Sequence, residues 1–379
     1  MNEKRGNMFR LDLREANGAL GDIGTLLPLS LGAIALAGLS PQMVLLGFGL
    51  FYIATGLVYR LPIPVQPMKA VAAVALLGVV SPAEIALSGV LIGLVLLGLG
   101  GSGLIDRIAR LVPQSVLSGL QLGLGLSLGW VAVGLMQAHW PIGALSLGVA
   151  LAALRAGTHA AMLTITVGLA AGYILDVPDT LVLNAPHQPL SIPTAQELHR
   201  AVTDLALPQL ALTLTNAVFV TTLVAGDLFG ARAAHVTPRR LCLTSGLANL
   251  VLAPLGALPM CHGAGGVAAH HRFGARSGAA PCLIGAVLLL IAVLPPQVQG
   301  AVLSAIPTAT LGALLGIAAW QLAISPRLID ARPSCRPVIA ATALATALMN
   351  PLLGLLAGTL SEIIRKAIIS KLRARHRSG

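Results

Sequence analysis

Two polar interruptions in an apolar chain hold the residues whose types could do chemistry. Gln66, Pro67, Met68 and Lys69 lie in "PIPVQPMKAVAA", and Cys261, His262, Gly263 and Ala264 in "ALPMCHGAGGVAA". Cys261 and His262 would serve as nucleophile and base only if they faced one another, and neighbouring helical positions do not. No third group is placed to orient the histidine. The glycines from Gly263 onward match a nucleotide loop only weakly, and the sequence before them does not read as the β-strand of a nucleotide-binding βαβ unit. They leave a backbone surface that a small ligand can approach closely. Lys69 sits in the first turn of the helix it opens, where a cation is unfavourable unless a negative ligand offsets it; the competing role is snorkelling to the interface. The chemistry that fits is anion binding. No enzymatic activity, cofactor or metal site is expected, and Cys242, Cys261, Cys282 and Cys335 lack metal-ligand spacing.

Two carboxylates stand inside apolar runs, where ionisable groups are expensive and usually functional. Asp22 lies in "NGALGDIGT" and Asp227 in "TTLVAGDLFG", beside Asn17, Thr25, Asn216, Thr221 and Thr222. Both are candidates for proton coupling or for orienting donors around an anion. Asp227 approaches a loop, where a helix-end role competes. His270 and His271 are expected to be solvated near the far end of their helix.

These residues need spanning elements to position them. The 379-residue chain is 56% hydrophobic and 10% charged, with a mean hydropathy of +0.87, which is the range of polytopic membrane proteins. A net charge of +11 would point to nucleic acid in a soluble protein. Here the basic residues fall between apolar runs and at the ends, which is a topology signal, and a nucleic-acid partner is not expected. Apolar runs of helix length begin near Asn17, Pro41, Pro64, Pro82, Val112, Pro141 and Thr158, then near Leu207, Arg239, Met260, Ser277, Gly300, Val338 and Pro351.

The halves repeat. The breaks at Pro64 and Pro259 are 195 residues apart, and Pro-x-x-x-Leu recurs at Pro113/Leu117 and Pro307/Leu311 with an offset of 194. An odd number of spans per half inverts the second copy. The reading is an all-α, seven-plus-seven inverted-repeat membrane protein: 1–175, an outer linker 176–206, and 207–379. With both termini in the cytoplasm, every Lys and Arg except Lys69 and Arg200 falls on the inner side. The basic N-terminus lacks a small-residue cleavage site and reads as a retained tail. "TAQELHRAVTDL" in the linker reads as a short interfacial helix. Non-helical backbone is tolerated at membrane depth only inside protein or beside a wet cavity. The two breaks therefore belong within the bundle, with two half-helix N-termini meeting at mid-membrane around an anion.

"LPIPVQPMKAVAAVAL" and "PMCHGAGGVAAHHRFGARSG" resemble the signature motifs of the molybdate transporter branch of the sulfate permease superfamily, and "GLANLVLAPLGALP" is similar to a stretch of sulfate permeases generally. The resemblance runs from about Asn17 to Leu360. It implies a core domain (about 17–104 and 207–294), a gate domain (about 112–175 and 299–372), and a site between the third and tenth helices. Carried over by position, Gln66 to Lys69 and Cys261 to Ala264 would line that site, with Thr25, Asn216 and Thr221 nearby. The glutamate that many sulfate permeases carry in the eighth helix has no equivalent here, which leaves the coupling ion open. The expected function is secondary transport of molybdate or a similar tetrahedral oxyanion through the cell membrane, with protons as possible co-substrate. Sulfate transport and an anion channel are the alternatives, and a homodimer is left open.

Overall fold

The computed structural model describes residues 9–75, 80–111, 113–157, 159–175, 194–324, 326–349 and 351–377. The first eight residues of the basic tail, and residues 176–193 of the expected linker, lie outside the described residues. The first apolar run folds as two helices, α1 (Leu13–Leu20) and α2 (Ile23–Ala37). They part at Gly21 and Asp22, where the Asp22 carbonyl accepts from the amides of Thr25 and Leu26, each at 3.0 Å. That exchange starts α2 and frees the Asp22 side chain for other partners.

After α3 (Pro41–Tyr59) the chain turns through Arg60 into an extended break, strand β1 (Gln66–Pro67) and the half-helix α4 (Lys69–Ala75). The first half continues with α5 (Pro82–Ser102), α6 (Leu104–Leu111), α7 (Gln114–Gln137), α8 (Trp140–Arg155) and α9 (Ala160–Ile174). Helix α5 opens on a capping box between Ser81 and Glu84.

Three α-helical stretches, α10 (Ala195–Arg200), α11 (Leu207–Leu212) and α12 (Thr221–Phe229), are joined without a turn by π-helical segments at 201–206 and 213–220. The expected interfacial helix is thus not separate. Its residues are the first turns of a spanning helix that begins twelve residues before Leu207. Pro208 supplies no N–H, and a wider π turn just before it absorbs the missing bond.

The second half then runs α13 (Pro238–Leu252), β2 (Met260–Cys261), the half-helix α14 (Ala264–Arg272), α15 (Ala279–Ala292), α16 (Pro296–Ser304), α17 (Thr308–Ala323), α18 (Pro326–Ile329), α19 (Arg336–Leu348) and α20 (Pro351–Arg377). The run expected from Gly300 is split between α16 and α17 because Pro307 starts a new helix. Its carbonyl accepts from Thr310 and Leu311, as the Pro113 carbonyl accepts from Val116 and Leu117 at the start of α7. The repeated Pro-x-x-x-Leu therefore marks one local structure twice.

Among the described residues, four helices are long and apolar enough to cross a bilayer unaided: Pro41–Tyr59, Pro82–Ser102, Gln114–Gln137 and Ala195–Ala233. The other spans are short or broken. Helices pair across the halves, α3 on α15, α5 on α13, and α7 on α17 and α19. Small residues permit this: a Cβ at Gly93 would stand 2.9 Å from the Gly246 carbonyl, and one at Gly246 3.0 Å from the Gly93 carbonyl.

At the centre the two breaks cross. β1 and β2 pair antiparallel, Gln66 with Cys261 and Pro67 with Met260, and the Met68 amide donates to the Pro259 carbonyl at 2.9 Å. Backbone groups that would be orphaned in an apolar interior thus satisfy one another.

Candidate functional site

The crossing is braced by side chains. Asn249 of α13 grips the Met260 backbone from both sides, its Nδ2 donating to the carbonyl at 2.6 Å and its Oδ1 accepting from the amide at 2.9 Å. It acts as a one-residue strand beside β2. His262 lies between the Phe51 and Tyr59 rings, at centroid distances of 5.2 and 5.6 Å. Its Nδ1 meets the Pro64 carbonyl at 2.9 Å and its Nε2 the Thr244 hydroxyl at 2.8 Å. A carbonyl only accepts, so Nδ1 carries the proton and, in the neutral ring, Nε2 accepts from Thr244. The Tyr59 hydroxyl in turn lies 2.8 Å from Thr244 Oγ1. Both imidazole nitrogens are thereby engaged within the protein, whereas the sequence pattern led to the expectation of a donor facing a ligand.

The bracing role of His262 is measurable. His262→Ala strands the Pro64 carbonyl and leaves a hole between two rings, and is expected to cost about 3 kcal/mol of stability. Thermal unfolding of purified protein tests this. A variant that melts like its parent but no longer binds ligand would make the ring a ligand contact instead of a brace.

Asp22 is wholly buried. Its Oδ2 accepts from the Tyr52 hydroxyl at 2.7 Å and its Oδ1 from Gln66 Nε2 at 2.5 Å. Gln66 lies across the start of α14: a Cβ on Gly263 would collide with its carboxamide oxygen, and one on Gly266 would come within 2.6 Å of Nε2. That oxygen, Oε1, is buried and has no hydrogen-bond partner. Gly263 is therefore required by Gln66 itself, not only by an incoming ligand.

Lys69 opens α4. Among the described residues its ammonium forms no hydrogen bond or ion pair, although Asp22 and Cys261 lie within electrostatic reach. The other basic residue outside the expected inner set, Arg200, faces Glu84 at 3.8 Å. Of the two exceptions, only Arg200 is in an ion pair.

Pro67, Met68, Cys261 and Ala264 are buried around the crossing, and Cys261 reaches the Thr213 side chain. Thr25 is buried one turn after Asp22. Asn216 and Thr221 are buried on the neighbouring long helix. The Thr221 hydroxyl is turned onto the Asn216 carbonyl at 2.8 Å, and Asn216 Oδ1 has no partner. Thr222 donates to the Val218 carbonyl. Asn17 donates to the Phe273 carbonyl and accepts from the Met162 amide at 2.9 Å, tying α1 to α9 and to the end of α14.

Asp227 is exposed near the end of α12, which finishes at Phe229. One expectation is corrected. His270 is fully buried, not solvated: its Nδ1 lies 2.8 Å from the Gly18 carbonyl and its Nε2 has no partner. His271 is partly buried, with its ring edge-on to Phe229.

Tyr52, Asn249 and Gln209 hydrogen-bond to the crossing or to its neighbours and were not singled out by the sequence pattern. Gln209 Oε1 accepts from the Ala70 amide at 2.8 Å while its Nε2 donates to Thr213. A lone amide or phenol within an apolar helix was the signal available for all three.

Known proteins share both the sequence pattern and this architecture. The family described as "Molybdate transporter of MFS superfamily" matches residues 14–128 and 201–322. The chain belongs to that molybdate transporter family. Molybdate transporter 1 of Arabidopsis thaliana is 28% identical over 394 residues, covering 90% of this chain and 85% of that protein. Molybdate transporter 1 of Chlamydomonas reinhardtii is 29% identical over 442 residues, covering 84% and 85%.

Among solved structures, the transmembrane domain of the cyanobacterial bicarbonate transporter BicA aligns with a TM-score of 0.60 at 16% identity, over 90% of this chain and 96% of that one. Murine solute carrier 26 family member A9, an anion transporter, aligns at 0.62 and 14%, over 96% and 70%. This member of the molybdate transporter family thus has the fold of the sulfate permease and solute carrier 26 proteins. Both matched segments of the family include one of the breaks.

Proposed function

We propose that the protein is a secondary transporter of molybdate or a similar tetrahedral dianion, which binds where α4 and α14 begin. The observation that carries this reading is the Lys69 ammonium, held at the crossing without a carboxylate partner. Around it the amides of Lys69, Val71, Ala264 and Gly265 have no acceptor among the described residues. An oxyanion stripped of water needs such donors and a counter-charge. Family membership and the names of the relatives support molybdate as the cargo.

In this reading the halves are inverted repeats. A core (about 17–104 and 207–294) carries the site past a gate (about 112–175 and 299–372), with both termini in the cytoplasm. The antiparallel crossing, the twin proline helix starts and the placement of the arginines support that arrangement.

A proton travels on Asp22. While ionised, Asp22 only accepts, so Gln66 turns its NH₂ toward it. A protonated Asp22 donates instead, and the Gln66 carboxamide turns over to present its oxygen. Its NH₂ then swings toward Gly263 and becomes a donor for the oxyanion, while a like charge near the dianion is removed. Proton and anion thus favour each other's binding, which is the condition for symport. His270 on α14, within electrostatic reach of Asp22, offers a free Nε2 lone pair as the next station for the proton.

The deciding experiment is molybdate uptake into proteoliposomes, with sulfate and tungstate as competitors and a conductance recording alongside. Saturable uptake driven by an inward proton gradient is expected. Conductance without saturation would make the protein a channel, and preferential inhibition by sulfate would change the cargo.

The Gly263 contact adds a prediction. Gly263→Ala pushes the Gln66 carboxamide off Asp22, so it is expected to weaken molybdate binding about tenfold and to flatten the pH dependence at the same time. Weaker binding with an unaltered pH profile would place Gln66 outside the coupling.

A further inference from the structure

We propose a second oxyanion site, separate from the crossing, in a cavity at the arginine-bearing end of the molecule. The cavity is about 310 Å³, open to one side, and is lined by α1 with the residues before it, the turn after α14, and Leu154, Gly157 and His159. At about 30 Å³ per water it holds a tetrahedral oxyanion with part of its hydration shell. Arg10, Arg14, Arg272 and Arg276 line it, with Asp12 and Glu15.

Among the described residues the acids form no ion pair with these arginines, although Glu15 lies within electrostatic reach of Arg276. Asp12 Oδ1 accepts from the Glu15 amide at 2.9 Å, and Glu15 Oε1 from the Arg276 amide at 2.9 Å. Each carboxylate caps backbone. Among the described residues the guanidinium groups of Arg10, Arg14 and Arg272 form no hydrogen bond or ion pair. That of Arg276 is steered by the carbonyls of His271 and Ala275, at 2.6 and 2.7 Å. Burial holds Arg276 below its usual range, with Arg14 and Arg232 adding to the effect against the pull of Glu15. Arg10, Arg14 and Arg272 are exposed and Arg276 is partly buried, so the guanidinium groups stay open to a ligand from solution, and their fork fits tetrahedral oxygens in pairs.

The position gives the site a consequence. Asn17, also in the cavity wall, ties α1 to α9 and to the end of α14, and His159, just before α9, lines the same cavity. A bound oxyanion bridges the two sides of that seam and stabilises the closed contact. The ligand is a free inorganic oxyanion or the phosphate of an anionic lipid, which share the same chemistry.

Thermal unfolding with inorganic phosphate as the probe, against chloride at equal ionic strength, tests the site. Phosphate is expected to stabilise the parent, and the apparent affinity is expected to fall at least tenfold in the double variant Arg14→Gln, Arg272→Gln. Lys69→Met, which disables the crossing, should respond as the parent does. A stabilisation lost in Lys69→Met but kept in the double variant would assign the effect to the crossing and overturn the proposal. So would the absence of any phosphate-specific effect in the parent. In nanodiscs, loss of the phosphate response on adding phosphatidylglycerol, in the parent alone, would identify the ligand as a lipid headgroup at the same arginines.

Discussion

Lys69→Met is expected to abolish molybdate uptake and to weaken equilibrium binding by on the order of 100-fold, equivalent to about 3 kcal/mol, while the protein folds normally. The side chain ends in a cation with no protein partner to strand, so its removal costs the fold little. The loss falls on the ligand, which would face only backbone dipoles and a nearby carboxylate. Lys69→Arg separates charge from shape: partial recovery shows that charge is needed, and full recovery that the ammonium is not specifically required. Isothermal titration with molybdate, beside a melting curve for each variant, reads both quantities. Binding like that of the parent in a well-folded Lys69→Met protein would move the site away from the crossing.

The second large effect is expected from Asp22→Asn. Uptake by the parent should rise as the pH on the loading side falls, because protonating Asp22 frees Gln66 and removes a repelling charge, and it should level off once Asp22 is protonated. Asparagine mimics the protonated residue in charge and can donate to Gln66 Oε1. The variant should therefore exchange internal for external molybdate at all pH values yet fail to accumulate it against a gradient. Counterflow and gradient-driven uptake, measured on the same proteoliposomes, separate these outcomes. Accumulation that survives in Asp22→Asn would leave His270 as the carrier, and His270→Gln would then be the variant that loses it.

The breaks were legible in the sequence for a physical reason. Proline and glycine in an apolar run strand backbone groups, and membranes tolerate that only inside protein, so Pro64 and Pro259 by themselves announce an internal crossing. The twin Pro-x-x-x-Leu helix starts were legible in the same way, since proline fixes the local backbone. Partners were not legible. Asp22 meets Tyr52 and Gln66, 30 and 44 residues away, and His270 meets Gly18 across 252. No periodicity in a helix apolar on every side says which residue it turns inward. This is why the sequence leads one to expect His270 in solvent although it is buried. The π segments at 201–206 and 213–220 hide still more. Each wider turn rotates the residues beyond it, so counting at 3.6 residues per turn does not give the faces on which Asn216 and Thr221 lie.

The strand crossing also bears on how easily such a protein changes its cargo. β1 and β2 are joined by backbone groups, which do not depend on the side chains they carry. The demands of the frame fall instead on Asn249 and His262, one on a neighbouring helix and the other turned into an aromatic niche. Apart from Gln66 and Gly263, which depend on each other, the residues at the start of the two half-helices can then vary without first undoing the backbone pairing. A new preference among anions becomes a matter of a few substitutions on a standing frame, a short step for selection or for a protein engineer.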